Sequence, residues 1–300
     1  MNKLIKSAFT LIELLVVIAI IGILSGLIVV SMGGMTTKAN IAKTQVFSNS
    51  LRNSLIADIA GEWKMDEGSG QVTADSWGGL NNCTLGSTTS VEAIDPTWIT
   101  TGCIYSNCLS FDGGDSMDCG NNNSLNITGS VTISAWVNTN FNGTYQVVAS
   151  KSGWGISSNQ YVLTVHNGEA RFSATNGTNE FNAIKSGVTP TQWHYLVGTY
   201  DESTKVFKVF VDGIIGNNAT LTGTKSTTVQ NFSIGAARVS SPIGFFPGLI
   251  DDVRVYDAVA PISQIKEQYY AGLNGLLISG QITKEEYSNR ISILAISPLD

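Results

Sequence analysis

Glu13 is the lone charged side chain in residues 9–30, a run otherwise built from Phe, Leu, Ile, Val, Ala, Gly, Ser and Thr. An ionised carboxylate costs roughly 2.5 to 3.5 kcal/mol in hydrocarbon even on gentle insertion scales, so an acid at this position points to a role. The chemistry open to it is pairing: in a dry, low-dielectric contact it gains from a positive helix N-terminus, its own or a neighbour's. A second chemical group is the set of 4 cysteines, Cys83, Cys103, Cys108 and Cys119. No Cys-x-x-Cys occurs, and His166 and His194 lie far along the chain, so disulfides are expected in place of zinc. Hydrolytic chemistry finds little support. There is no Gly-x-Ser-x-Gly elbow and no Glu-x-Asp-x-x-Glu, while Glu67, Glu92, Glu169 and Glu180 stand apart on segments that read as loops.

The element that carries Glu13 is long enough to matter. Residues 9–30 give a helix of ~33 Å at 1.5 Å per residue, matching a hydrocarbon core of about 30 Å. Lys3 and Lys6 precede it and are expected to stay cytoplasmic. The small residue Ala8 comes before the apolar run, so a cut between Ala8 and Phe9 removes the lysines and leaves the apolar helix on the mature chain, unlike an ordinary secretory signal. This arrangement resembles the class III signal of type IV prepilins, which include pilus subunits and pseudopilins. The resemblance implies cleavage before Phe9 by a prepilin peptidase, methylation of the new amine, and assembly guided by Glu13. The usual Gly before the cut is Ala8 here. Gly22 and Gly26, four apart, have the spacing that lets apolar helices approach closely. Ile41, Val46, Leu51, Leu55 and Ile59 continue one apolar face, so a helix over 9–59, ~75 Å long, is expected.

Beyond it the chain is acidic and loop-rich. Its net charge is −6, and loss of Lys3 and Lys6 with the leader takes it to −8. Without a basic run it is a poor match for nucleic acid. Short alternating runs at 130–137, 161–166, 194–200, 206–212 and 232–235 are separated by Gly, Asn, Ser and Thr clusters, which predicts an all-β two-sheet sandwich. The cysteines allow three connectivities. Cys103–Cys108 with Cys83–Cys119 is favoured, and Cys108–Cys119, stapling a turn at Gly113 and Gly114, is also open.

Ordered strings at 63–70, 74–78, 108–113, 132–137, 192–201, 209–213 and 248–256 resemble a laminin-G-like, concanavalin-A-like jelly roll over residues 60–258. Trp136 and Trp193 in those strings are expected as core anchors. The resemblance implies a structural calcium ion, with Asp75, Asp251 and Asp252 as candidate ligands and Asp112 behind them, the other expectation being a turn cap or a pair with Arg254. For a sugar, rings stack on pyranose faces and amides sort hydroxyls. Trp154 is the first candidate, followed by Tyr145, Asn182 and His194. Residues 259–300 leave the β pattern and predict two short helices, 263–274 and 283–294, with Thr283 and Glu286 as a capping box. The hairpin is expected to dock on the sandwich.

The leading reading is a pilin-like subunit that polymerises with other pilin-like chains and displays a lectin-like domain for carbohydrate or a surface protein. The second is a pseudopilin in a secretion machine, where the sandwich handles cargo. A membrane-tethered, glycan-active enzyme comes third.

Overall fold

A computed structural model describes residues 58–297 apart from 141–142, 154, 156 and 238–242, together with Leu15. Ala8, Phe9, Glu13, Gly22 and Gly26, with the helix expected over 9–59 up to residue 57 save Leu15, lie outside the described residues, while Ile59, expected to end that helix, instead opens a strand, Ile59–Trp63, paired with the strand at 247–256. Among those described, no helix is long and apolar enough to cross a membrane.

The strands are numbered β1 to β16 in chain order and fall into two antiparallel sheets. The first runs β14 (Ile214–Thr220), β13 (Val206–Val211), β12 (Trp193–Asp201), β7 (Val131–Thr139), β16 (Pro247–Tyr256), β5 (Cys108–Asp112) and β4 (Thr97–Ile99), and β1 (Ile59–Trp63) also pairs with β16. The second runs β11 (Glu180–Ser186), β10 (Glu169–Thr175), β9 (Asn159–His166), β8 (Gln146–Ser152), β15 (Phe232–Ile234), β6 (Met117–Asp118), β3 (Cys83–Leu85) and β2 (Val72–Thr73). The expected sandwich is therefore present. Glu169 and Glu180, expected on loops, instead open β10 and β11.

Period-2 alternation explains the core. Ile133, Ala135 and Val137 of β7 meet Leu163 of β9 and Phe172 of β10 between the sheets. The two layers approach so closely that a Cβ on Gly198 of β12 would lie 2.2 Å from the Phe172 ring. Cys83–Cys119 joins β3 to the segment after β6, and Cys103–Cys108 closes the short loop before β5.

The alternate residues of the first sheet face a second apolar layer. Helix α1 (Ile262–Ile278) and helix α2 (Lys284–Ile296) supply Ile265, Tyr269, Leu273, Leu276 and Leu294 to a cluster with Trp136, Trp193, Tyr195 and Phe210. The hairpin docks on the sandwich, each helix running slightly past its expected end. Thr283 caps α2 by accepting from the Glu286 amide at 3.1 Å. The Glu286 carboxylate pairs with Arg290 at 2.8 Å. Trp136, fully buried, stacks on Tyr269 with centroids 5.7 Å apart. It anchors the helical layer and not the space between the sheets.

Candidate functional site

The outward rows of the second sheet build the site. Register places Ser150, Val162, Ser173 and Asn182 side by side across β8, β9, β10 and β11. The adjacent outward row holds Val147, Thr164, Arg171 and Ile184. Between them the inward row, Ala149, Leu163, Phe172 and Ala183, belongs to the core, so the two flanking rows face away from it. A cleft of about 200 Å³ opens on this face, lined by Tyr145, Gly155, Asn159, Val162, Thr164, Ser173, Thr175, Glu180 and Asn182.

Its polar groups divide into held and free. Thr175 Oγ1 donates to the Asn159 carbonyl at 3.2 Å, and Asn159 Oδ1 accepts from Ser152 at 2.6 Å and from the Gly155 amide at 3.1 Å. Among the described residues, the side chains of Thr164, Ser173, Glu180 and Asn182 have no hydrogen-bond partner. At one end stands an aromatic wall. Tyr145, 41 % exposed, stacks on His166 with centroids 4.3 Å apart, and the Arg171 guanidinium carbon sits 5.3 Å from the Tyr145 centroid. Arg171 is itself held, donating to Tyr145 Oη at 3.1 Å and pairing with Glu169 at 2.7 Å. The exposed ring, already backed by His166, stands beside unpaired hydroxyl, amide and carboxylate groups, so apolar ring surface and hydrogen-bonding edges meet in one cleft.

The model for the concanavalin A-like lectin/glucanases superfamily matches residues 111–266, just over half of the chain. The chain belongs to this superfamily. A second model, the prokaryotic N-terminal methylation motif, matches residues 5–29. No curated protein matches the chain. Among solved structures it is similar to domain 4 of AbnA, a GH43 extracellular arabinanase from Geobacillus stearothermophilus solved in complex with arabinotriose. The TM-score is 0.54 at 16 % identity over 70 % of this chain and 97 % of that one. The binding domain of Paraclostridial Mosquitocidal Protein 1 gives 0.56 at 11 % identity over 73 % of this chain, which spans 53 % of that domain. A Trypanosoma rangeli sialidase in complex with sialic acid gives 0.51 at 16 % identity, covering 71 % of this chain and 33 % of the sialidase. At such identities these likenesses show the fold alone.

Within this lectin-type sandwich the expected ligand residues separate. Tyr145 and Asn182 meet at the cleft. Trp154 lies outside the described residues, although its neighbour Gly155 lines the cleft. His194 belongs elsewhere, buried at the start of β12, with Nδ1 2.8 Å from Asp212 Oδ2 and Nε2 2.8 Å from Thr189 Oγ1. That hydroxyl–imidazole–carboxylate order has the outline of a nucleophilic triad. The Thr189 amide donates to the same Nε2 at 3.0 Å and the Thr189 hydroxyl reaches Gln192 Oε1 at 3.1 Å, so the ring's lone pair is already engaged. His194 locks two turns together.

The carboxylates expected to hold calcium each have at least one protein partner. Asp75 accepts from the amides of Glu62, Trp77 and Asn81 at 3.1, 3.1 and 3.3 Å. Asp252 pairs with Arg254 at 2.8 Å, and Arg254 reaches Glu62 at 2.8 Å. Asp251 takes the Ile104 amide at 3.0 Å, and Asp112 takes the Gly114 amide at 2.7 Å. Among the described residues no group of three or more His, Cys, Asp or Glu is placed to hold a metal ion. Burial, reinforced by the Asp252 charge, pushes the Asp251 carboxyl well above the usual range.

Thr164 and Ser173 escaped the sequence reading, and Glu180 entered it only as a carboxylate weighed for hydrolysis. The available signal was the alternation of polar Glu169, Arg171, Ser173 and Thr175, which marks an outward face but does not reveal which strands lie side by side.

Proposed function

We propose that this chain is a pilin-like subunit whose lectin-type sandwich binds saccharide in the cleft on the open face of the second sheet. The observation that carries the binding half is the cleft itself: an exposed Tyr145 wall beside four polar side chains that the fold leaves without partners. Sugars are recognised by stacking together with hydrogen bonds to hydroxyls, and this cleft supplies both. The arabinanase domain, a sandwich of similar fold solved in complex with arabinotriose, supports the reading.

The assembly half rests on the methylation motif over residues 5–29. In this reading a prepilin peptidase cuts between Ala8 and Phe9, the chain is held in the cytoplasmic membrane by residues 9–30, and Glu13 guides its entry into a surface filament with other pilin-like subunits. Mass spectrometry of the mature protein is expected to find a methylated chain starting at Phe9. A chain that retains Met1 contradicts the processing step.

The cleft is a binding site and not a hydrolytic one in this reading. A retaining glycosidase needs two carboxyls ~5 to 5.5 Å apart, an inverting one ~6.5 to 9.5 Å. Glu180 is the single carboxylate among the described lining residues. The test is a glycan panel probed with the full-length protein in detergent, alongside an Asn182→Ala variant. Saccharide binding that weakens in the variant supports the reading, and the absence of binding to any member of the panel refutes it.

A further inference from the structure

The cleft carries an electrical asymmetry that bears on which sugars it accepts. Glu180, at the start of β11, is exposed, lines the cleft and has no ion-pair or hydrogen-bond partner among the described residues. No lysine or arginine stands among the described lining residues. Arg171 is the cation in the described outward rows, and its charge is committed to Glu169 at 2.7 Å while another of its nitrogens holds Tyr145 Oη at 3.1 Å. Lys185, on the strand that carries Glu180, pairs in register with the core residue Ala170 and so belongs to the opposite set of rows from Asn182. Among the described residues the cleft therefore presents one free negative charge, with neutral hydroxyl and amide groups around it.

We infer that Glu180 makes the cleft selective for neutral or amine-bearing saccharides and sets it against carboxylate-bearing ones. This inference rests on the saccharide-binding reading above. A sugar hydroxyl donates to a carboxylate in a charge-assisted hydrogen bond, and a sugar ammonium adds Coulomb attraction. A uronate or sialate brings a second carboxylate to a concave site where no free cation among the described residues compensates, and like-charge juxtaposition across an interface is strongly disfavoured. Glu180 is thus a specificity-determining residue, and Ser173, Thr164 and Asn182 supply contacts common to every sugar the cleft takes.

The experiment uses the full-length protein in detergent and three tetrasaccharides that share one β-1,4-linked gluco backbone: neutral cellotetraose, its glucosamine counterpart and its glucuronate counterpart. A broader glycan panel with neutral, amine and carboxylate members is run alongside, and the wild type is compared with Glu180→Gln and Glu180→Lys. Because Glu180 is exposed and unpaired, both variants are expected to keep the wild-type melting temperature. The expected result is glucuronate binding at least about tenfold weaker than neutral binding, a gap that narrows in Glu180→Gln and reverses in Glu180→Lys. Added salt is expected to narrow it as well. If carboxylate-bearing sugars bind the wild type as well as neutral ones, or if both variants keep the wild-type ratio, the selectivity is refuted while saccharide binding stands. If no sugar of any charge binds the wild type or the variants, the selectivity and the binding reading fall together.

Discussion

Asp112 and Asp115 show how one turn couples charge to stability. Asp115 is 4 % exposed, and its carboxylate accepts the Asp112 amide at 2.8 Å. Burial, with the neighbouring Asp112 and Asp95 charges adding to it, pushes its carboxyl up to about 6. The folded chain then holds a proton that the unfolded chain has already released. Its contribution favours folding at low pH and falls away as pH rises from the ordinary carboxylate range through about 6. Asp115→Asn keeps an acceptor for the amide and removes the titration. We expect it to flatten the melting-temperature profile between about pH 4 and 6 and to stabilise the protein at pH 7 by on the order of 2 kcal/mol. An unchanged profile in the variant contradicts this. Asp251 follows the same sign, because burial raises its carboxyl while one oxygen, Oδ1, is buried without a hydrogen-bond partner. Roles of this kind were only partly legible in the sequence. Asp251 and Asp252 read both as cation ligands and as residues that cap a turn or pair with Arg254, and the structure adds the 2.8 Å pair of Asp252 with Arg254 and the Ile104 amide on Asp251.

At the scale of elements, the helical hairpin depends on close approach to the first sheet. Gly272 of α1 lies over Trp136, and a Cβ there would sit 2.3 Å from the indole. Gly272→Ala is therefore expected to cost at least about 2 kcal/mol and to alter the near-ultraviolet signal of the Trp136–Tyr269 stack. A variant with wild-type melting and spectrum contradicts the docking. The bridge Cys83–Cys119 closes a loop with a sequence separation of 36, so Cys83→Ser with Cys119→Ser is expected to lower stability by about 3 kcal/mol in denaturant titration. Element legibility followed hydropathy contrast. β7, β12 and β13 carry runs of large apolar residues, buried on both faces in β7 and β12, and stand out in the sequence. In β10 and β11 the inward positions include Ala170, Ala174 and Ala183 facing outward Ser, Thr and Asn, a contrast too small to mark a strand. The cleft is built on those two strands and β9. Tyr145 and Asn182 were visible as an exposed ring and an amide, whereas their juxtaposition with Thr164, Ser173 and Glu180 arises from a register that pairs residues far apart in the chain.

For the whole molecule, the two family matches divide the labour, with residues 5–29 carrying the methylation motif and 111–266 the lectin-type domain. If Glu13 guides assembly by finding a counter-charge in a dry filament core, Glu13→Ala leaves membrane insertion intact and lowers incorporation into filaments by at least about tenfold, about 1.4 kcal/mol. Quantifying the variant in sheared filaments against total membranes checks this, and wild-type incorporation contradicts it. The central claim is that the open face of the second sheet is where this protein meets saccharide. It is tested most directly by calorimetric titration of the tightest-binding member of the glycan panel into wild type and into Tyr145→Ala with Asn182→Ala. The account predicts a loss of at least about tenfold in affinity with the melting temperature preserved. Undiminished affinity in that double variant places the sugar elsewhere and contradicts the account.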